Sequence, residues 1–134
     1  MPKASVLQFH NYKVEELFFK STPVTDGQHE FEIHPYFQHK VIDREEDHYD
    51  VFLSVEIQST EEHPLPFHLK AALVGHFVFC DPEGKASPEN KEYILQKNTV
   101  SILFPFLRAI VASLTTNANI PTLVLPIMNF SEDK

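Results

Sequence analysis

The sequence predicts an α+β fold, a four-stranded antiparallel sheet with one long helix packed on it, in a single domain spanning residues 1–134. Two observations predict it. The first hundred residues contain strand-like alternations of apolar and polar side chains, and the segment 100–130 is apolar, with Arg108 as its one charged residue. Strands that all precede a helix are typical of α+β rather than α/β domains. A chain of 134 residues is long enough to bury such a core without disulfides.

The first strand is predicted over residues 6–19, where aromatic and branched residues mix with polar ones. Glu15 and Glu16 interrupt its pattern, which indicates a β-bulge. The second strand is predicted around residues 31–42, with Phe37 and Val41 on one face. Pro35 within that run places the strand at an edge of the sheet, because proline cannot donate a ladder hydrogen bond.

The third and fourth strands show the clearest alternation. Apolar residues occupy every second position of 49–57, and Phe52 lies on the opposite parity. The segment 67–80 repeats the pattern, and the acidic stretch 43–47 between the second and third strands is predicted to be a solvated turn. Alternation of this kind is typical of an antiparallel sheet with one solvated face.

The helix is predicted to begin near Thr99 or Ser101, with Pro105 in its first turn, and to end near Asn117. At about 100° per residue its apolar stripe covers more than half of the circumference. The remaining face is small or polar and predicts a homo-oligomer interface, made of Arg108, Ala109, Ala112, Ser113 and Thr116. A core helix in a monomer is the alternative, because small residues also tolerate water.

Composition excludes several classes of function. Nineteen acidic residues against 11 basic ones, without a basic cluster, argue against nucleic acid as a partner. Cys80 is the one cysteine, and residues 1–20 show no cationic start followed by an apolar signal core, so we expect a cytoplasmic location. The apolar segment 100–116 is too short for membrane insertion and contains Pro105 and Arg108.

No constellation of residues predicts catalysis, a cofactor or a metal, so the chain is not expected to be an enzyme. His34 and His39, like His63 and His68, are five residues apart, which on a strand sends the two side chains to opposite faces. Histidines exposed to solvent or on the sheet surface are the favoured interpretation. The three glycines form no phosphate-binding loop.

The last third of the chain resembles the SecB-type protein-export chaperones. The resemblance rests on the ILFP sequence at 102–105, Arg108, Ser113, and the later Pro121, Leu123, Leu125 and Asn129-Phe130, in the order and spacing of the family. The strand 48–55 is similar to the third strand of the family. The resemblance implies an ATP-independent holdase that assembles as a homotetramer, a dimer of dimers, and binds unfolded or precursor polypeptides in an apolar groove.

The resemblance also implies positions for its sites. The client-binding positions would be Phe37, Val41, Phe52, Leu125, Ile127, Met128 and Phe130. Glu15 or Glu16 would occupy an acidic position that contacts the translocation motor SecA, although Lys20 replaces a second acid. The chain stops soon after Phe130, so the second helix and the metal-binding tail of the family are expected to be absent, which weakens the expectation of SecA docking.

Two alternatives stay open at this point. Short members of the family act as dedicated chaperones of an antitoxin or another single client. A small-ligand-binding α+β domain would instead enclose polar groups such as Asp50, His68 or His76 in a pocket.

Overall fold

The computed structural model describes residues 7–22, 33–62, 64–81, 84 and 86–118. Four antiparallel strands form one sheet in the order β1-β4-β3-β2. Their bounds are β1 (Leu7–Ser21), β2 (Tyr36–Asp43), β3 (His48–Ile57) and β4 (Phe67–Phe79). A long helical region follows β4 and packs on one face of the sheet, so the predicted fold class is confirmed.

The two central strands, β3 and β4, carry the core. Every second residue of β3 is buried and the residues between are half-buried, as the alternation predicted. Their buried sides meet in register, with Leu53 opposite Leu73 and Val55 opposite Ala71. These four side chains are at most 1% exposed, because the helix covers them. The face of the sheet under the helix is called the helix face below, and the other is called the open face.

The helical region is continuous from Pro88 to Asn117 but changes its pitch once. It comprises α1 (Pro88–Tyr93), a π-helical segment (Ile94–Asn98) and α2 (Thr99–Asn117). Ser87 caps the start, since its hydroxyl accepts a hydrogen bond from the backbone N–H of Asn90 at 3.0 Å. Pro88 follows at the first helical position, where its missing N–H costs nothing.

The predicted start near Thr99 agrees with the start of α2, but the helical region begins earlier, at Pro88, so neither Thr99 nor Ser101 caps it. Thr99 is buried, and its hydroxyl donates to the carbonyl of Leu95 within the helix instead of capping it. Pro105 consequently lies in the helix interior rather than in the first turn. It is exposed there, so its ring faces away from the core. The predicted end at Asn117 agrees with the structure.

Gly75 of β4 allows the helix to approach the sheet closely. A Cβ atom at this position would lie 2.6 Å from a methyl group of Leu103 and 2.9 Å from the ring of Phe77. Both side chains are fully buried and surrounded by core residues. A glycine is therefore required where α2 crosses β4.

The outer strands depart more from the predictions. The strand β2 is at an edge, as Pro35 indicated, but it begins at Tyr36, and Phe31 lies outside the described residues. The strand β1 forms the other edge and has two register shifts against β4, between Phe9 and Asn11 and between Val14 and Glu16. The second shift confirms the predicted bulge.

Candidate functional site

The helix covers a strip of apolar side chains on β1 only in part. Tyr12, Val14 and Leu17 pair with Gly75, Leu73 and Ala71 of β4, so all three lie on the helix face. They are nevertheless 37%, 42% and 50% exposed. We call these three residues the β1 apolar strip.

The two bulges explain why the strip lies on one face. Apolar residues of β1 that face the helix side are spaced two, three, two, three and two residues apart along the chain, at Leu7, Phe9, Tyr12, Val14, Leu17 and Phe19. Each three-residue step coincides with a register shift, where one extra residue is inserted and the next apolar side chain keeps the same face. The strip was not predicted, and this spacing is the signal that reveals it.

The strip continues onto α2 through aromatic contacts. The ring of Phe106 lies 4.6 Å from that of Tyr12 and 5.7 Å from that of Phe9, measured between centroids. Beyond Tyr12 the helix no longer covers β1, and Val14 and Leu17 are open to solvent. The strip is thus bordered by the core on one side and by the outer edge of the described sheet on the other.

The predicted client-binding positions are divided between surfaces. Phe37 and Val41 lie on the helix face of β2 and pack against the core, with the ring of Phe37 5.7 Å from that of Phe104. Phe52 lies on the open face, in a shallow depression with Lys40 and Ile42. The remaining predicted positions lie outside the described residues: Leu125, Ile127, Met128 and Phe130.

The predicted oligomer interface lies on the side of α2 that faces away from the sheet. Ala109, Ser113 and Thr116 are exposed, and Arg108 and Ala112 are half-buried. The buried residues of α2 lie on the opposite side: Thr99, Val100, Leu103, Phe104, Leu107, Val111 and Thr115. The helix therefore presents a small and polar outer face, as its sequence indicated.

The two acidic residues of the predicted motor contact both have a lysine nearby. Glu15 lies 3.6 Å from the Nζ of Lys13, and Glu16 lies 3.2 Å from the Nζ of Lys70. Each lysine offsets the negative charge of its neighbour, although exposed pairs of this kind contribute little to stability.

A polar network occupies the part of the open face where β3 meets β4. His76 donates from Nδ1 to Asp50 at 3.0 Å, and Arg44 donates from Nε to the other oxygen of Asp50 at 2.9 Å. Burial raises the pKa of the Asp50 carboxyl, but the hydrogen bonds from His76 and Arg44 outweigh it and hold the pKa below its usual value. The same network includes His48, whose Nδ1 lies 3.1 Å from the Nε2 of His76.

A second histidine on this face is paired in the same way. His68 donates from Nε2 to Glu56 at 2.9 Å, and its ring meets Phe18 edge-on at 5.2 Å. Hydrogen bonds from Gln58 and His68 lower the pKa of Glu56. The residues Asp50, His68 and His76 thus lie on the open face, not between sheet and helix, which does not fit the alternative of an enclosed ligand pocket.

Lys91 connects α1 to the turn between β2 and β3. Its Nζ donates to Asp47 at 3.0 Å and lies over the rings of Tyr49 and Phe79. Hydrogen bonds to Tyr49 and Asp47 raise the pKa of Lys91. A lysine held in its charged form by such contacts serves to fix the turn rather than to act as a base.

The described residues hold no metal cluster of three or more ligands, and their long apolar helix packs as a core helix. Within those residues, no group of three or more histidine, cysteine, aspartate or glutamate side chains is placed to hold a metal ion. The helix 88–117 contains an 18-residue window with a mean hydropathy of 1.6, long and apolar enough to cross a membrane, but core helices pass the same test. Leu103, Leu107 and Val111 are fully buried against the sheet, which is the behaviour of a core helix.

Comparison with known families gives a match over most of the chain. The family described as preprotein translocase subunit SecB matches residues 8–132. The protein-export protein SecB of Anaplasma phagocytophilum is 34% identical over 83 residues, 62% of this chain and 52% of that protein. The uncharacterised protein MJ0357 of Methanocaldococcus jannaschii is 24% identical over 96% of this chain and 82% of that protein. The chain thus spans about half the length of the SecB proteins it matches.

A solved structure shares the fold. The SecB-like chaperone Rv1957 of Mycobacterium tuberculosis, determined in complex with a peptide from the antitoxin HigA1, superposes with a TM-score of 0.73. The likeness covers 91% of this chain and 90% of that one at 14% sequence identity. At this identity the likeness shows the fold alone.

Proposed function

The chain belongs to the SecB family, and on that premise we propose that it is an ATP-independent holdase that binds unfolded polypeptides in the cytoplasm. Family membership supports a chaperone role. The observation that carries the holdase proposal is the β1 apolar strip, a run of large apolar side chains exposed on an edge strand. Exposed apolar surface that continues a core marks a binding site.

The edge of β1 supplies a second kind of contact. Among the described strands β4 is its one neighbour, so in this part of the structure the backbone N–H and C=O groups on its outer side can accept an added strand. An extended polypeptide can pair with such an edge while its apolar side chains cover Val14 and Leu17. Backbone pairing and apolar burial give affinity without a strict sequence preference, as a holdase requires.

Phe37 and Val41 of the edge strand β2 and Phe52 of the neighbouring strand β3 remain proposed client contacts. Four positions outside the described residues are proposed as well: Leu125, Ile127, Met128 and Phe130. The outer face of α2 is the proposed interface between protomers, in a tetramer built from two dimers. Its small residues, Ala109 and Ala112, allow the backbones of two helices to come close.

The experiment is light scattering of several unfolded proteins diluted into buffer with and without the chain, in the absence of nucleotide. Suppression of aggregation is expected at a stoichiometry near one oligomer per client. A monomer that leaves the aggregation of every client unchanged overturns the proposal. In parallel, Ala109→Glu is expected to lower the oligomer mass, while Leu17→Ser is expected to weaken suppression without changing the mass. A loss of mass in Leu17→Ser would instead assign the strip to the contact between protomers.

A dedicated client, such as an antitoxin, is the second candidate. The solved SecB-like chaperone holds a peptide from an antitoxin, and Glu15 and Glu16 have neighbouring lysines where an acidic motor contact is expected. Purification from the native cell followed by identification of bound polypeptides separates the candidates, since one dominant client favours a dedicated chaperone and many precursors favour general export.

Titration of SecA into the protein tests the motor contact, and Glu16→Lys is expected to change the affinity for SecA little.

A further inference from the structure

We propose that His48 and His76 on the open face form a binding site for a divalent cation of the zinc type, with Asp50 orienting His76. The proposal rests on the mutual placement of three side chains and is independent of the holdase function. It concerns the open face, which also carries Phe52 and Glu16, but no residue of the cation site is itself a proposed client, protomer or motor contact.

The tautomer of His76 directs its free nitrogen toward His48. Because the Nδ1–H of His76 donates to Asp50 at 3.0 Å, the lone pair of that ring is on Nε2. This nitrogen faces the Nδ1 of His48 at 3.1 Å. In the neutral pair one proton, on the Nδ1 of His48, lies between the two nitrogens.

The distance between these nitrogens suits two ligands of one metal ion, which would lie to the side of the line that joins them. Two ligands on a tetrahedral zinc with Zn–N bonds near 2.05 Å are separated by roughly 3.3 Å, and two adjacent ligands of a square-planar ion by roughly 2.9 Å. The observed 3.1 Å lies between the two values. Binding requires that the proton of His48 move from Nδ1 to Nε2, a change of tautomer that leaves the ring neutral.

Asp50 supplies the outer contact that such a site needs. Metal-bound histidines ordinarily donate their other ring N–H to a carboxylate, which fixes the ring and makes the ligating nitrogen more basic. Arg44 holds Asp50 from the other side at 2.9 Å, so the carboxylate is itself fixed. The ring of His10 stands edge-on to that of His76 at 5.7 Å, beside the site but not in contact through a nitrogen.

The open face provides a matched control. His68 also donates to a carboxylate, although through Nε2 rather than Nδ1, and its side chain is 29% exposed against 32% for His76. Its ring packs against Phe18 rather than against a second histidine. A carboxylate–histidine pair alone gives one nitrogen ligand, whereas His48 and His76 give two. The two-nitrogen site therefore predicts tighter binding at His76 than at His68.

The test is calorimetric titration of Zn²⁺ into the whole chain at neutral pH, with Ca²⁺ as an ion that prefers oxygen ligands. One Zn²⁺ per protomer and no Ca²⁺ binding are expected. His76→Asn and His48→Gln should each weaken the affinity at least about tenfold, and Asp50→Ala about tenfold, while His68→Asn leaves it within about twofold. Circular dichroism confirms that each variant is folded.

Two further readouts locate the ion. The ¹⁵N resonances of His48 Nδ1 and His76 Nε2 are expected to shift on Zn²⁺ addition, and Cys80→Ser is expected to leave the affinity unchanged. Equal affinities for His76→Asn and His68→Asn, shifts confined to other histidines, or loss of binding in Cys80→Ser would each overturn the assignment. Absence of any Zn²⁺ binding at millimolar concentration would overturn it as well.

Discussion

The centre of the sheet and its β1 edge carry similar side chains in very different environments. In β3 and β4 the apolar residues of the helix face lie under α2 and are almost completely buried, whereas Val14 and Leu17 on the same face are about half exposed. One helix covers the two central strands and reaches β1 through Phe106. The apolar side chains of β1 therefore extend beyond the core of this protomer, and Val14 and Leu17 are left for another contact.

Leu103→Ala gives the largest expected effect, because it removes a fully buried side chain from the covered centre. The free energy of unfolding should fall by about 3 kcal/mol, from lost burial and the cavity left behind. Urea unfolding followed by circular dichroism measures it. A loss below about 1 kcal/mol would show that the centre is not tightly packed.

Gly75→Ala tests the same contact between α2 and the sheet from the side of β4. The added methyl group would lie 2.6 Å from Leu103, whose side chain has no room to move, so unfolding should become easier by about 2 kcal/mol. The same measurement applies, and Ala72→Gly on the open face of β4 is the control for backbone effects. A stable Gly75→Ala protein would contradict the close approach of α2 to β4.

Asp50→Asn tests how much the polar network on the open face of β3 contributes to stability. Loss of the charge-assisted bonds to His76 and Arg44 should cost about 1 kcal/mol at neutral pH. Because the folded-state pKa of Asp50 is lowered, its contribution is present above the ordinary value of 3.8 and is lost as the pH falls through the folded pKa. The difference in free energy of unfolding between wild type and variant should therefore shrink as the pH falls below 3.8. Urea unfolding at a series of pH values, from neutral to strongly acidic, measures it. A gap independent of pH would show that the charge of Asp50 contributes nothing.

Leu17→Ser has the smallest expected effect on unfolding. Its side chain is half exposed, so the free energy of unfolding should change by no more than about 0.5 kcal/mol. Urea unfolding at low protein concentration checks it. A loss as large as that of Leu103→Ala would mean that the strip belongs to the core of the protomer.

The regular parts of the fold could be predicted from sequence, and the irregular parts could not. Apolar and polar residues alternate with a period of two along β3 and β4, so the face of the sheet on which each side chain lies could be predicted for both strands. The strip on β1 was missed because two inserted residues break that period. The upstream part of the helical region was missed because its first turns, residues 88–93, are mostly polar and have no apolar stripe.

Long-range pairing accounts for the other omissions. His48 and His76 are far apart in sequence and meet through the register of β3 against β4. The spacing of histidines along one strand, such as His34 and His39, carries no information about a neighbour on the next strand. Phe37 alternates in step with the apolar residues of β2, and Phe52 alternates out of step with those of β3, so opposite faces could be predicted. The resemblance to the family nevertheless placed both residues in one client-binding set.

The most direct test of the central claim compares two faces of the same strand. Leu17→Ser and Phe18→Ser each remove an exposed apolar side chain of β1, 50% and 42% exposed, from the helix face and the open face respectively. Both are added to an unfolding client, and its aggregation is followed by light scattering. We expect Leu17→Ser to suppress aggregation less than wild type, and Phe18→Ser to suppress it as well as wild type. Equal suppression by both variants, or a loss confined to Phe18→Ser, would contradict it.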